Sequence, residues 1–434
     1  MSLHLWAAVL PILFLGGLAA GLQAQSPEPR PSSALFGAPD PRQSPGERPD
    51  EGFWVASSLF GGYDDSLFIG QGLGTPLQPH SRSRDSYAGF SGRLLYNHQP
   101  ADQLSLGASL ESNGRYYPIL ERFVAGRQVA DVSSSSLMTP WRGTRLRTGG
   151  MARYSRNSGP FAGAMFLPDG YPLDFFDGDD AVRLRRSDSL HGQVQLEHDW
   201  GRRKSVAIVV GIQSSGLEGS ERSAGYELGG TLSTKLARYG TLQTGYTRQE
   251  IDHGGARYVI HLVNIGGNYG RPVSASRRAF LTIGGGSAVL ESKGQVRMQA
   301  IADAGLRYEL WRSWSGNARY HRGFMFVDEI ISPLMSDGVV AELTGLLSRR
   351  LELLGSGSLT HGSVGLSPTA THYNVYSAHT RVRYALSRTT AVYAEYLLFN
   401  YRFAESVRLG AGLPSYFDRQ TVRAGVTVMT PILR

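Results

Sequence analysis

Arginines recur on one side of several segments in which apolar and polar residues alternate. Nine of them share this setting and are candidates for lining a water-filled space: Arg93, Arg145, Arg147, Arg153, Arg297, Arg307, Arg381, Arg383 and Arg423. A wet passage lined by positive charge concentrates anions and raises the rate at which they enter. The pattern therefore predicts an inner wall that attracts anions.

Carboxylates on the same faces support a second interpretation. Opposite charges on neighbouring strands stabilise a sheet, and five acidic residues are suited to such pairing: Glu111, Glu197, Asp303, Glu309 and Glu395. In that case the arginines fill the interior as ion pairs. Both signs of charge occur on one face, so both interpretations stay open.

An acidic segment, residues 168–187, has the composition of a constriction. Its candidate carboxylates are Asp174, Asp177, Asp179 and Asp180. If the segment folds into a barrel, these groups would face the arginine-bearing wall and create a transverse field. Two alternatives remain open, a solvated surface loop and a calcium site, although the spacing does not match the EF-hand loop.

Evidence for catalysis or a cofactor is weak. His361 and Ser363 lie two apart on one strand face and are the only local hint of a His–Ser hydrolase, without an identifiable orienting Asn or Asp. The chain has no Cys, which excludes a thiol nucleophile and a disulfide scaffold. We predict no catalytic residues, no metal and no cofactor, and keep an outer-membrane lipid hydrolase as a lesser alternative.

Strands with a period of two residues must position these groups. Between Leu190 and Leu196 the apolar residues fall on one face, while Gln193, Gln195 and Glu197 fall on the other. Such runs are about 10–14 residues long, against about 5–6 in ordinary globular strands and about 9–11 in tilted membrane-spanning strands. Length and mid-strand charges favour a membrane barrel, with lipid on the apolar face and water on the polar face. A soluble sandwich is the alternative.

The segmentation predicts about 18 strands. They cover residues 53–63, 86–98, 102–113, 144–156, 159–167, 188–199, 204–214, 224–237, 240–251, 257–269, 279–291, 296–310, 314–327, 339–353, 355–366, 374–386, 389–403 and 419–432. Longer connections follow the odd-numbered strands, at 64–85, 114–143, 168–187, 215–223, 328–338 and 404–418. Short periplasmic turns alternating with longer extracellular loops are the bacterial barrel pattern. Because boundaries carry errors of about two to four residues, 16 strands remain an alternative.

The N-terminal part differs from the rest. Residues 1–24 are predicted to be a signal peptide, since 5–22 are apolar and a small-residue site ends at Ala24. Residues 25–52 contain seven prolines with Ser, Gly and mixed charges, which predicts a disordered periplasmic leader. The barrel is predicted to occupy 53–434.

Composition narrows the class further. The 434 residues include 54 Gly, and aromatic residues make up 10%, which is unlike a helical protein because Gly disfavours helices. The net charge of +8 is dispersed along the chain rather than collected in blocks, which argues against nucleic-acid binding.

Two short motifs carry a family resemblance. Gly61-Gly62-Tyr63-Asp64-Asp65 near the first strand and Arg115-Tyr116-Tyr117-Pro118 after the third, together with Tyr-rich hairpins, resemble the beta-barrel porin 2 family of the bacterial outer membrane. The resemblance covers most of 53–434 and implies a barrel with no catalytic residues, in some relatives associated with exopolysaccharide export. The chain departs from general porins by ending in Thr430-Pro431-Ile432-Leu433-Arg434 rather than an aromatic residue.

We therefore expect an all-β transmembrane antiparallel barrel of the bacterial outer membrane that passes polar or anionic solutes or saccharides. Expected partners are outer-membrane lipids and lipopolysaccharide, a small polar solute or saccharide, and the barrel assembly machinery, with the oligomeric state left open. The main alternative is a non-transporting surface barrel, an adhesin or scaffold, whose working parts are loops 114–143 and 168–187.

Overall fold

The computed structural model describes residues 52–67, 83–101, 103–118, 121–158, 185–218, 221–237, 240–274, 277–311, 313–327, 330–365, 371–404, 407 and 415–433. The predicted signal peptide, the leader up to residue 51 and the acidic segment up to residue 184 lie outside the described residues. Within the described part, no helix is long and apolar enough to cross a membrane.

Eighteen strands make up almost all of the described residues. They are β1 (Gly52–Leu67), β2 (Ser83–Ala101), β3 (Leu104–Tyr117), β4 (Arg122–Trp141), β5 (Thr144–Ser158), β6 (Arg185–Asp199), β7 (Lys204–Leu217), β8 (Ser223–Ala237), β9 (Gly240–His253), β10 (Ala256–Ser274), β11 (Arg277–Ser292), β12 (Gln295–Trp311), β13 (Trp314–Val327), β14 (Ile330–Leu346), β15 (Leu351–Val364), β16 (Thr371–Ala385), β17 (Thr390–Phe403) and β18 (Tyr416–Leu433).

The strands form one closed antiparallel ring. Each strand pairs with its neighbours in sequence, and β18 pairs with β1 to close the circle. Leu59 of β1, for example, lies opposite Phe90 of β2 on one side and opposite Val426 of β18 on the other. A closed ring removes the free edges that an open sheet would expose. The predicted all-β barrel of 18 strands is confirmed.

Side chains alternate between two faces of the wall. Ile208 and Val210 of β7 are 51% and 47% exposed, as are large apolar residues at matching positions around the ring, which identifies the outer face. Their neighbours Ala207 and Val209 point to the inner face and lie opposite Glu197 and Gln195 of β6. The outer face is therefore apolar and the inner face largely polar.

The two edges of the barrel differ. Gly52 and Leu433 lie at one edge, the turn edge, where the longest connections are residues 200–203, 347–350 and 386–389. At the opposite, loop edge, residues 68–82, 159–184 and 404–415 connect strands, so the longer connections do follow odd-numbered strands.

Part of the loop edge carries tight turns. Gly254 and Gly255 join β9 to β10 with φ of 56° and 71°, and Lys293 and Gly294 join β11 to β12 with φ of 51° and 75°. Two successive positive φ angles are the signature of the two-residue hairpin turn whose twist matches that of the strands. The arc from β9 to β12 therefore has a low rim.

One glycine permits a close approach of two strands. A β-carbon on Gly286 of β11 would collide with the carbonyl oxygen of Val263 of β10. The two backbones come together there only because the side chain is absent. Glycine thus allows the wall to bend at the β10–β11 pair.

The predicted loop 114–143 is wrong, because Arg122–Trp141 is strand β4. Its run of four serines, 133–136, lacks apolar alternation, and it pairs with β3 through contacts such as Ser105 Oγ to Ser135 Oγ at 2.6 Å. The predicted strand 159–167 lies outside the described residues, and β5 pairs directly with β6. The strand number is thus right, although one strand of the prediction is replaced by another.

The hairpin of β14 and β15 also differs from the prediction. The turn lies at residues 347–350 rather than near 354, and Ser348 Oγ accepts hydrogen bonds from the backbone N–H of Arg350 and Leu351 at 3.3 and 3.1 Å. Strand β14 begins at Ile330, so most of the predicted loop 328–338 is strand. The leucines around residues 347–350 continue the apolar alternation of the strands, so the sequence pattern does not indicate a turn there.

Candidate functional site: the inner face and the mouth of the barrel

All nine predicted arginines occupy inner-face register positions, on β2, β5, β12, β16 and β18. Arg145 and Arg147, for example, lie opposite Glu197 and Gln195, and Arg307 lies opposite Asn317. The strand pairing places all nine on the inner side of the wall. They are spread over separate arcs of the barrel and do not form a single ring.

Two arginines and a histidine surround one buried carboxylate. Glu395 of β17 has a fully buried side chain, and its Oε2 accepts a 2.8 Å hydrogen bond from Nε of Arg381. Arg423 of β18 donates from Nε to Oε1, and Nε2 of His379 lies 3.6 Å from Oε2. A buried carboxylate must be paired and hydrogen-bonded to stay ionised, and this cluster meets that requirement.

Three more of the nine arginines are also in ion pairs. Arg145 donates from Nη2 to Glu197 at 2.9 Å and to Asp199 at 3.1 Å. Arg153 donates from Nε to Oδ1 of Asp131 at 2.6 Å. Arg383 pairs with Glu352. For these residues the structure agrees with the interior ion-pair interpretation.

Sequence reasoning missed part of this network. Asp303 pairs with Arg319 at 2.9 Å rather than with any of the nine arginines, and Arg419 pairs with the buried Asp64. Arg115 stacks over the ring of Tyr87 at 4.1 Å, a contact between an arginine cation and an aromatic face. These partners share a face with the nine arginines, and finding them requires the strand register.

Arg147 is different. Its register neighbours Leu137 and Gln195 are uncharged, and it forms no ion pair with any residue that the structure describes. Arg93 likewise forms none within the described ranges, although Glu111 lies opposite in register. Arginine is always protonated, so the positive charge of Arg147 stays on the wall without a carboxylate opposite it in register.

The mouth of the barrel is narrowed by one hairpin. We call residues 323–327 of β13 and 330–335 of β14 the gate hairpin. The pairing of β12 with β13 stops at Ala302 opposite Arg322, although β12 continues to Gln295 and β13 to Val327, all of them described residues. Beyond Arg322, toward the loop edge, the gate hairpin is therefore no longer paired with β12.

One side of the gate hairpin contacts the wall formed by β9, β10 and β11. Phe324 and Phe326 pack against the buried cluster that contains Tyr258, and the ring centres of Phe326 and Tyr258 are 5.2 Å apart. The ring of His253 lies 5.5 Å from that of Phe326. Three strand spacings of about 4.8 Å put β10 and β13 roughly 14 Å apart along the wall. The contact therefore runs across the interior.

The other side of the gate hairpin contacts the wall formed by β16, β17 and β18. Leu334, which is fully buried, and Met325 pack on an aromatic cluster from β16, β17 and β18. That cluster consists of Tyr373, Val375, Phe399, Tyr401, Phe403 and Phe417. Because protein covers both faces of the hairpin, its part beyond Leu334 lies within the mouth, whereas Leu334 and Met335 stay paired with β15 in the wall.

Arg297 of β12 reaches β15 across the gap that the gate hairpin leaves in the wall on the loop-edge side of Ala302. Its Nη1 donates a 2.6 Å hydrogen bond to the carbonyl oxygen of Gly365, at the end of β15, and its Nη2 donates to Ser363 Oγ at 3.3 Å. Charge-assisted hydrogen bonds are about twice as strong as neutral ones. This predicted wall arginine thus helps to hold the mouth in its present form.

Solved structures of barrels are similar to this chain at low identity. OpdL of Pseudomonas aeruginosa is 11% identical over 88% of this chain and 99% of its own, with a TM-score of 0.43. OpdQ of Pseudomonas aeruginosa is 10% identical over 88% and 98%, with a TM-score of 0.43. An anion-selective porin from Comamonas acidovorans is 10% identical over 87% and 98%, with a TM-score of 0.32. These scores are low, and the fold described above rests on strand pairing alone.

No family model matches the chain, and no curated protein matches it either. The resemblance to the beta-barrel porin 2 family therefore stays a prediction.

His361 and Ser363 are not joined as a catalytic pair. Nδ1 of His361 lies 2.6 Å from Oδ1 of Asn374 on the outer face, so an orienting amide does exist, on the neighbouring strand. Ser363 Oγ instead accepts its hydrogen bond from Arg297. A nucleophile needs its base within hydrogen-bond reach, and the described contacts of Ser363 do not supply one.

The four predicted constriction residues, Asp174, Asp177, Asp179 and Asp180, lie outside the described residues. Within the described ranges, no group of three or more His, Asp or Glu side chains is placed to share a metal ion. The constriction that the structure does describe is the gate hairpin.

Proposed function

We propose that this protein is an outer-membrane channel for small polar solutes, with a preference for anions. The observation that carries the proposal is the contrast between the two faces of one closed ring. Apolar side chains such as Ile208 and Val210 are exposed on the outside, and arginines lie on the inside. A barrel with this contrast suits a lipid exterior and a wet interior.

Strand length supports a membrane location. The shortest strands contain 14 residues, which is more than the about 9–11 that a tilted strand needs to cross a bilayer. Ring closure pairs the strands within the protein, as hydrocarbon surroundings require, except at the loop-edge end of β12, where residues 295–301 are not paired with β13. We place the turn edge in the periplasm and the loop edge outside the cell.

Uncompensated positive charge supports the anion preference. Arg147 faces the interior without a carboxylate partner among the described residues. Charge in a narrow space with low-dielectric walls acts strongly on a passing ion. The ion pairs elsewhere neutralise much of the wall, so the preference is expected to be moderate and to depend on few residues.

Bilayer electrophysiology tests the proposal. Purified protein reconstituted into a planar bilayer should conduct, and a salt gradient should give a reversal potential of the sign that anion preference requires. A barrel that lacks any conductance, under conditions where a known porin conducts, would contradict channel function.

Passage of saccharides or export of exopolysaccharide is the finer proposal. Its support is the resemblance of the Gly61–Asp65 and Arg115–Pro118 motifs to the beta-barrel porin 2 family. Deleting the gene should then lower secreted polysaccharide, and oligosaccharides should block ion current reversibly. Unchanged polysaccharide and unblocked current would limit the channel to small ions.

A non-transporting surface barrel is the second candidate, and the filled mouth favours it. Phe324 and Phe326 contact β9 to β11, and Met325 contacts the cluster of β16 to β18. In that case the working parts would include 168–187, since 114–143 is mostly strand. Absence of conductance together with binding of purified protein to host or bacterial surfaces would support this candidate over the channel.

A further inference from the structure

We infer that the gate hairpin is a movable gate with two positions, one inserted in the mouth and one upright in the wall. The inserted position is the one described above, in which Phe326 reaches Tyr258 and Met325 packs on the aromatic cluster. The movement itself rests on strand pairing, while its effect on conductance rests on the proposed channel function.

The upright position follows from the strand register. Since Ala302 lies opposite Arg322, continuing the same ladder would bring Ala300 opposite Phe324 and Met298 opposite Phe326. The segment of β12 from Gln295 to Ile301 is strand in the structure but is not paired with β13 within the described residues. It therefore offers a ready edge for the gate hairpin to join.

The sequence suits this second position. Val296 and Met298 are on the outer face and are 65% and 69% exposed, among the most exposed apolar residues of the wall. In the continued register Phe324 and Phe326 would fall on the same apolar outer face, and Met325 would turn inward. The alternation of β13 thus fits lipid in the upright position and the mouth cluster in the inserted one.

The attachments of the gate hairpin differ on its two sides. Pairing of β14 with β15 continues to Leu334 opposite Val364, so that side stays in the sheet. On the side of β9 to β12, the described contacts of the hairpin are those of the Phe324 and Phe326 rings. Arg297 of β12 bonds instead to Gly365 and Ser363 at the end of β15, so these two hydrogen bonds span the gap that the upright hairpin would fill. Release of these contacts frees the hairpin without breaking any strand pairing.

Opening would exchange side-chain contacts for backbone pairing. Moving upright gives up the burial of two phenylalanines in the mouth, and forms new ladder hydrogen bonds with the edge of β12. Interfaces with two packed arrangements switch between them rather than deform gradually. The inserted position closes the loop-edge mouth, and the upright position opens it while completing the wall between β12 and β13.

State-specific cross-links test the gate in the full-length protein, which has no cysteine of its own. The pair Met298→Cys with Phe326→Cys should form a disulfide only in the upright position. The pair Tyr258→Cys with Phe326→Cys should react with a short cleavable bifunctional thiol reagent only in the inserted one. Ser105→Cys with Ser135→Cys is the matched control, because these side chains touch across β3 and β4 in either position.

We expect both gate pairs to link in the same preparation, and the linked forms to differ in current. If the upright state is at most about 10% populated, as minor states usually are, locking it should raise the mean conductance at least about tenfold. The inserted link should abolish opening, and cleaving either link should restore the original current. Ala300→Cys with Phe324→Cys is a second upright pair, in case Phe326→Cys impairs folding.

Three results separate the possible failures. If neither upright pair links while the control pair links fully, the hairpin does not move and the gate is wrong. If the upright pairs link and the current is unchanged, the hairpin moves but is not a gate. If no form conducts, the channel function fails, while the yields of the cross-links still decide whether the hairpin moves.

Discussion

Arg381 donates a 2.8 Å hydrogen bond from Nε to Oε2 of Glu395, a carboxylate that is fully buried on the inner face. Replacing Glu395 by Gln removes the negative charge with which Arg381 and Arg423 pair. Breaking a buried ion pair by removing one partner costs about 3–5 kcal/mol. We expect Glu395→Gln to lower the free energy of unfolding by about that amount, measured by urea titration of the barrel in vesicles.

Glu309→Gln is the control for this substitution. Glu309 also lies on the inner face, opposite Ser315, and forms no ion pair among the residues that the structure describes. It should change stability by much less. Equal effects of the two substitutions would mean that the cluster around Glu395 has no special role.

Arg147 should set much of the ion selectivity. Changing Arg147 to Glu reverses a charge that no described carboxylate compensates, so the ratio of anion to cation permeability should fall several-fold. The reversal potential in a salt gradient measures the ratio. Arg402→Glu makes the same change at an exposed position, and an equal shift there would exclude a local effect of Arg147.

Ionic strength should weaken the anion preference. The Debye length falls from about 10 Å at 0.1 M salt to about 3 Å at 1 M. If the wall charges act through space on ions in the passage, the permeability ratio should approach one at high salt. Reversal potentials at a series of salt concentrations give this dependence, and a constant ratio would indicate short-range binding instead.

The same substitution at two neighbouring residues of β7 should impair folding at one position and not at the other. Ile208 is on the outer face, and an arginine facing lipid near the bilayer midplane costs about 2–4 kcal/mol. Val209 points inward, opposite Gly229, and a charged side chain there would face the water of the proposed channel. We therefore expect Ile208→Arg, and not Val209→Arg, to impair folding into vesicles. Heat-resistant migration on gels reports folding, and equal defects would contradict the assignment of the two faces.

Much of the fold was accessible from the alternation of residue types. Runs such as Leu190–Leu196 define both faces at once, and the nine arginines occupy inner-face positions as that alternation implies. The sequence analysis missed strand β4 because 133–136 are all serine, and serine fits either face. The sequence analysis also missed the turn at 347–350, because Leu343, Leu347 and Leu351 lie at positions where an uninterrupted strand would have apolar residues.

The site was less accessible, and for a physical reason. Which carboxylate meets which arginine depends on register, as the pairing of Asp303 with Arg319 illustrates. The gate hairpin depends on contacts between strands that are not neighbours, such as Phe326 with Tyr258. The sequence analysis placed a loop at 328–338. No local pattern indicates that a strand leaves its ladder and crosses the interior.

The tight turns at Gly254–Gly255 and Lys293–Gly294 make the connections short on the arc from β9 to β12. The connections of 15 and 26 residues, 68–82 and 159–184, join strands on another arc. If the loop edge faces outward, the two hairpin turns of this arc are accessible to an antibody or a phage. A peptide inserted between Gly254 and Gly255 would accordingly be displayed at the cell surface without a taller neighbour on that arc.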